Sequence, residues 1–122
     1  MAIARLGSVS LDCDDPRRLA EFWAALLGGE IAFSSDDFVA IRVDHLWLST
    51  VRVADFQAPT WPDGTNPKHM HLDLAVKDLE SAQDAALMLG ARVAAFQPSP
   101  ALWRVMLDPA GHPFCLSTQI PD

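Results

Sequence analysis

The chain has 122 residues, enough for one compact domain or for two half-domains that share a core. Half of the residues are apolar, a fraction that excludes a disordered chain. The net charge of −7 argues against a nucleic-acid partner, because phosphate binding requires clustered Lys and Arg.

The N-terminal residues resemble neither a signal peptide nor a membrane anchor. They lack a basic region and a long apolar run, and no apolar stretch approaches the roughly 20 residues of a membrane-spanning helix. We therefore expect a cytoplasmic protein with no membrane partner. In that compartment Cys13 and Cys115 would be reduced thiols, and their separation fits no zinc-finger spacing.

The first predicted element is a strand over Ile3–Asp12. Its residues alternate between an apolar face with Val9, Leu11 and Cys13 and a polar face with Ser8, Ser10 and Asp12. Such alternation is typical of a strand with one buried face.

A helix is predicted to begin after Asp15 and to end at Gly28. Aspartate at the N-cap accepts backbone N–H bonds, proline suits the first helical position, and glycine favours a left-handed C-cap. One buried face is indicated by the spacing of Leu19, Phe22, Trp23 and Leu26. Three strands are then predicted, over Glu30–Ser34, Phe38–Val43 and His45–Val53.

A proline-rich segment, residues 55–67, predicts a linker, after which the same pattern returns. The stretch His69–Val76 alternates polar and apolar residues. Asp78 is predicted to cap a second helix that ends at Gly90, with a buried face made of Leu79, Ala82, Ala86 and Leu89. Three further strands are predicted over Arg92–Gln97, Leu102–Leu107 and Pro113–Thr118, with a hairpin turn over Asp108–Gly111.

The pattern is therefore a duplication, which sets the architecture. We predict an α+β protein with two βαβββ modules, residues 1–54 and 68–122, in a single domain. Each sheet would cover one face with its helix. Because the other face carries polar residues, we expect curved sheets that form a cup, with the site where the modules meet.

Three segments carry a resemblance to a known family. They are Asp15-Pro16 with Phe22-Trp23-Ala24-Ala25-Leu26-Leu27-Gly28, then His71-Leu72-Asp73-Leu74-Ala75-Val76-Lys77-Asp78, and then Asp108-Pro109-Ala110-Gly111-His112-Pro113-Phe114. With the duplicated order, they resemble the vicinal-oxygen-chelate superfamily, which includes glyoxalase I, extradiol dioxygenases and bleomycin resistance proteins. The chain is most similar in character to its members described only as glyoxalase-like domains.

The resemblance implies where a divalent metal would be held. Metal-dependent members take ligands, usually His and Glu, from the first and last strand of each module. Here these positions fall at Ser8 (or Gly7), Trp47, His71 and Cys115. Only His71 matches, and a catalytic site generally needs about three protein ligands. We therefore expect no metal cofactor, although His71 and Cys115 with His69 could form a rebuilt zinc site.

We expect the cup to be lined by six ligand-binding residues: Ser8, Ser10, Trp47, His71, Asp73 and Cys115. Several have a second interpretation. His71 could hydrogen-bond to Asp73, Asp73 could bond to a neighbouring strand rather than act as a base, and Cys115 is favoured as a packing residue over a nucleophile. Trp47 could be an aromatic wall or core filler, joined by Trp103 if that side chain faces inward. Arg42 and Arg104 could anchor an anion, and Trp61 would pin the linker.

The leading functional hypothesis is a protein that binds a small molecule without the usual metal. The acidity of the chain would suit a cationic drug. The alternative is a metal-dependent lyase, isomerase or dioxygenase with a rebuilt site around His71, and a third is an interaction module whose cup has collapsed. By resemblance we expect a homodimer, with modules paired within one chain or swapped across two.

Overall fold

The computed structural model describes residues 2–122, which divide into two compact units. The first unit ends at Phe56, and the second runs from Gln57 to Asp122. Each unit contains one helix and a four-stranded sheet in the order strand, helix and three strands. The α+β class and the duplicated βαβββ order are therefore confirmed.

The first unit has the sheet order β1-β4-β3-β2. Strand β1 pairs in parallel with β4, whereas β3 pairs antiparallel with both β4 and β2. The bounds of its elements are β1 Ser8–Cys13, α1 Pro16–Leu27, β2 Glu30–Ser34, β3 Phe38–Val43 and β4 Leu46–Arg52.

Helix α1 is capped as the sequence predicts. The Asp15 carboxylate accepts a hydrogen bond from the Arg18 N–H at 3.2 Å, and Gly28 ends the helix at φ 68°. The helix packs on the sheet through Leu19, Phe22 and Trp23, each at most 3 % exposed. The next residue, Gly29, has no room for a side chain, because a Cβ there would come within 2.8 Å of the Arg42 carbonyl oxygen on β3.

The second unit has the equivalent sheet order β5-β8-β7-β6, with β5 parallel to β8. The bounds of its elements are β5 Leu72–Ala75, α2 Leu79–Leu89, β6 Arg92–Val93, β7 Trp103–Leu107 and β8 Pro113–Ser117. Asp78 caps α2 through the Ser81 N–H at 2.9 Å, and Gly90 ends it. The predicted turn over 108–111 is confirmed, since the buried Asp108 carboxylate accepts the N–H groups of Ala110 and His112.

Three sequence predictions need correction. Strand β1 begins at Ser8, not Ile3. Its partner β4 begins only at Leu46, after a turn in which Asp44 has φ 49°, so the residues before Ser8 have no strand to pair with. Leu89 is 40 % exposed rather than buried, because α2 turns mainly Leu79 and Ala86 toward the sheet.

The third correction concerns β6, which ends at Val93 instead of Gln97. The Gln97 side chain takes over the pairing with β7: its Oε1 accepts the Val105 N–H at 2.9 Å and its Nε2 donates to the Val105 carbonyl at 2.7 Å. The side-chain amide thus serves as the acceptor for the Val105 N–H, and it shares the Val105 carbonyl with the backbone N–H of Ala94.

Within residues 2–122, no helix combines the length and the apolar character needed to cross a bilayer.

Candidate functional site

Each sheet has one face covered by its helix and an opposite face, called the open face, which in the second unit is partly covered by Trp61. In β1 the exposure alternates, with Ser8, Ser10 and Asp12 exposed and Cys13 buried, so the predicted polar face is confirmed. Ser8 lies beside Trp47 on β4, and Ser10 lies beside Ser49. The open face of the first unit therefore joins Ser8 and Trp47, two residues expected to contact a ligand.

A concavity of about 400 Å³ lies at the start of β4 and is called the Trp47 concavity. The guanidinium carbon of Arg42 lies 4.3 Å from the centroid of the Trp47 ring, a distance typical of cation–π contact. The two residues are paired across β3 and β4. The concavity is lined by Arg5, Arg42, Asp44, His45, Leu46 and Trp47.

In the second unit, His71, Asp73 and Cys115 meet on the open face. The His71 Nε2 lies 3.2 Å from Asp73 Oδ1, and Asp73 lies beside Cys115 in the parallel pairing of β5 and β8. Lys68 Nζ lies 3.4 Å from His71 Nδ1. Because an ammonium group only donates, Nδ1 of a neutral His71 accepts, so Nε2 carries the proton and donates to Asp73.

The Cys115 thiol keeps its proton at neutral pH. Burial raises its pKa to about 11, and the negative charge of Asp73 and a hydrogen bond between the two side chains act in the same direction, while Lys68 opposes them. The thiolate is the reactive form of cysteine. The arrangement therefore favours the packing interpretation of Cys115 over a nucleophile.

A second concavity, of about 360 Å³, opens beside this cluster and is called the His71 concavity. Trp103 lines it, which answers the question of which way that side chain faces. Its lining residues are His71, Asp73, Trp103, Cys115, Ser117, Gln119 and Ile120.

The cluster also offers donor atoms for a metal. One atom each from His71, Asp73 and Cys115 lies within 4.8 Å of the other two. The third donor is thus Asp73 rather than His69, because Asp73 is in register with Cys115 and lies 3.2 Å from His71, which precedes β5.

Two other residues that the sequence analysis named, Arg104 and Trp61, have structural roles. Arg104 is engaged: it donates to Glu80 and Gln83 on α2, both at 2.8 Å, so it holds the helix rather than a ligand. Trp61 packs against the cluster of Ala94, Val105 and Cys115 and lies 5.5 Å from the Phe96 ring, which confirms that it pins the linker segment.

Sequence reasoning missed three contributors to these concavities. Arg5 and His45 were placed inside predicted strands, and Lys68 was only the first residue of the second module. Lys68 and His71 both precede β5, so alternation along that strand carries no signal for the contact between them.

Comparisons with known proteins agree with this architecture. Residues 8–117 match the family model described as Glyoxalase-like domain. A search of the curated proteins gave no match.

Solved structures are similar over nearly the whole chain. The fosfomycin resistance protein FosX from Mesorhizobium loti has a TM-score of 0.74 and 14 % identity, covering 98 % of this chain and 94 % of that chain. A possible glyoxalase from Bacillus cereus has a TM-score of 0.69 and 16 % identity, covering 95 % and 99 %. A mutant of FosX from Listeria monocytogenes, complexed with Mn(II) and a dihydroxypropylphosphonic acid, has a TM-score of 0.72 and 17 % identity, covering 98 % and 95 %. At these identities the likeness concerns the fold alone.

Proposed function

The chain belongs to the glyoxalase-like domain family, and we propose that it binds a small organic molecule without the divalent metal that many related enzymes use. The observation that carries the proposal is the contact between Arg42 and Trp47. It places an indole and a positive charge at the position where the resemblance would put a metal ligand.

The residues do not fit the usual His and Glu set. In the first unit, Ser8 is a weak donor and Trp47 is not a metal ligand at all. The guanidinium 4.3 Å from the Trp47 ring would also repel a divalent cation. In the second unit, a protonated thiol stands where the enzymes carry Glu. Only His71 retains the expected ligand.

What remains suits the recognition of an organic molecule. Ligand sites commonly combine aromatic walls with a few polar groups in clefts of about 300–1,000 Å³. The Trp47 and His71 concavities, of about 400 and 360 Å³, have this character. The proposed contact residues remain Ser8, Ser10, Trp47, His71, Asp73 and Cys115. Neither Ser8 nor Ser10 lines a concavity, so we assign these two residues the weakest contacts.

The test is elemental analysis of the purified protein, before and after incubation with zinc, manganese and nickel, followed by thermal-shift screening of aromatic acids, amides and amines. We expect far less than one ion per chain and at least one compound that raises the melting temperature. Stoichiometric metal that is lost in His71→Ala, together with no binding compound, would contradict the proposal.

A rebuilt metal site is the second candidate, because donor atoms of His71, Asp73 and Cys115 lie within 4.8 Å of one another. This set of nitrogen, oxygen and sulfur suits zinc better than manganese. A neighbour of the same fold, the Listeria FosX mutant, was crystallised with Mn(II). If the site forms, cobalt titration should produce a thiolate-to-metal absorption band that Cys115→Ser abolishes and Cys13→Ser retains.

Two further proposals concern the setting of the protein. Both cysteines are buried free thiols, which supports a reducing compartment such as the cytoplasm. We also propose a homodimer, as for related proteins. Light scattering on a size-exclusion column would detect it, and a molar mass near 13.3 kDa would contradict it.

A further inference from the structure

We propose that the Trp47 concavity binds a flat aromatic monoanion, with Arg5 and Arg42 taking the charge and Trp47 contacting the ring. This inference rests on the proposed function, since it names the class of small molecule for one of the two concavities. It reverses the expectation from composition, because the chain as a whole carries a net charge of −7 and would suit a cation.

The charge around the concavity is locally positive. Its lining contains two guanidinium groups, those of Arg5 and Arg42, and one carboxylate, that of Asp44. The imidazole of His45 also lines it. With a neutral imidazole, the excess is a single positive charge. Such an excess favours a ligand with one negative charge over a neutral or cationic analogue.

The two arginines are not already neutralised. Arg17, Arg52 and Arg104 each pair with a carboxylate. By contrast, across residues 2–122 neither Arg5 nor Arg42 takes part in an ion pair. A guanidinium without a carboxylate partner can offer two parallel N–H groups to a carboxylate ligand.

Arg42 is also held in place before any ligand arrives. Its guanidinium carbon lies over the Trp47 ring, 4.3 Å from the centroid, and the pairing of Arg42 with Trp47 across β3 and β4 places both side chains on one face. A guanidinium can contact an aromatic ring and still offer N–H groups to a carboxylate. Less side-chain freedom is therefore lost on binding, which favours affinity.

The apolar part of the ligand is indicated by Trp47 and Leu46. Both side chains are half-buried and line the concavity beside the arginines. An indole provides a flat, rigid surface for an aromatic ring. A volume of about 400 Å³ accommodates a compound of one or two rings.

The experiment is isothermal titration calorimetry with three probes that share one ring system: 2-naphthoate, 2-naphthamide and 2-naphthylmethylamine. We expect 2-naphthoate to bind best, with affinity that falls as salt is added. Arg42→Gln should weaken 2-naphthoate binding by about ten-fold to a hundred-fold, the range for a hydrogen bond to a charged group. Arg18→Gln, which changes an exposed arginine on α1 outside the concavity, is the matched control and should leave binding unchanged.

Trp47→Phe keeps an aromatic surface and Trp47→Leu removes it, so binding should fall more in the second variant. Circular dichroism and urea unfolding of every variant would show that the fold is retained. The inference is overturned if 2-naphthamide or the amine binds as tightly as 2-naphthoate, if Arg42→Gln binds 2-naphthoate normally, or if no probe binds.

The same data separate this inference from the proposed function. If the neutral or cationic probe binds and the anion does not, the monoanion site is wrong and metal-free binding of a small molecule stands. If no probe binds and the protein retains stoichiometric metal that His71→Ala removes, both are wrong.

Discussion

The two units share one order of elements but anchor their helices with very different side chains. Trp23 on α1 and Ala86 on α2 both lie eight residues after the capping aspartate, and both are at most 1 % exposed. Trp23 also packs edge-on against Phe22 at 5.3 Å. The same place in the fold therefore accepts the largest and one of the smallest apolar side chains.

The open faces differ in a complementary way. In the second unit, Trp61 packs on the open side of the sheet against Ala94, Val105 and Cys115, so a second small core forms there. In the first unit, Trp47 meets Arg42 and remains half-buried beside a concavity. The comparison teaches that the two sheets use tryptophan differently: Trp23 packs under the helix of the first unit, whereas Trp61, from the segment before β5, packs on the face opposite the helix of the second.

The largest loss of stability is expected on α1, the helix that is anchored by Trp23. Trp23→Ala should lower the free energy of unfolding by about 3–5 kcal/mol, because it leaves a cavity between α1 and its sheet. Leu79→Ala on α2 should cost less, about 2 kcal/mol. Urea unfolding monitored by circular dichroism measures both, and equal losses would show that the two helices are anchored equally.

A second prediction concerns the outer edge of β7. Gln97→Ala should lower the free energy of unfolding by about 1–3 kcal/mol, because it leaves the N–H of the buried Val105 without its acceptor. The matched control, Gln57→Ala, changes an exposed side chain and should stay within about 0.5 kcal/mol. A loss no larger than that of the control would mean that the Gln97 bonds are not formed in solution.

A third prediction tests the His71 concavity through thiol reactivity. Alkylation of Cys115 by iodoacetamide should rise with pH toward a midpoint near 11, the raised pKa of the thiol. Asp73→Asn should shift this midpoint downward and speed alkylation several-fold at pH 9. The shift should be incomplete, because burial is the largest cause and is retained.

Peptide mass spectrometry separates alkylation of Cys115 from that of Cys13, and Asp84→Asn on α2 is the control. An unchanged midpoint in Asp73→Asn would contradict the contact between Asp73 and Cys115. Since the folded pKa of Cys115 is raised, the stability contributed by its neutral thiol is fully present below pH 9.0 and is lost as the pH rises through about 11.

The smallest effect is expected at the cap of α2. The pKa of Asp78 is lowered, chiefly by the hydrogen bond from the Ser81 N–H. Its stabilising effect is therefore present above pH 3.8, the ordinary pKa, and is lost as the pH falls through the lowered value. Asp78→Ala should lower the melting temperature slightly at pH 7, and this difference should vanish in acid, whereas Asp84→Ala should show no such pH dependence.

The sequence was sufficient for the elements whose signals are local. Caps such as Asp15 and Asp78 and the alternation around Ser8 and Ser10 depend on neighbours in the chain, and these predictions are confirmed. The contact of Asp73 with Cys115 depends on the register of β5 and β8, which no local pattern encodes. The Trp47 concavity likewise combines residues from before β1, from β3 and from the following turn.

The amide of Gln97 has a consequence for how copies of this protein behave when crowded together. Backbone groups that lack partners at the rim of a sheet invite strands from other molecules and so promote aggregation. Gln97 makes two hydrogen bonds to the backbone of Val105 and one to the carbonyl of Ala94, so an incoming strand would first have to displace this side chain and its three bonds. A single side chain would thus hinder the addition of a foreign strand at this part of β7.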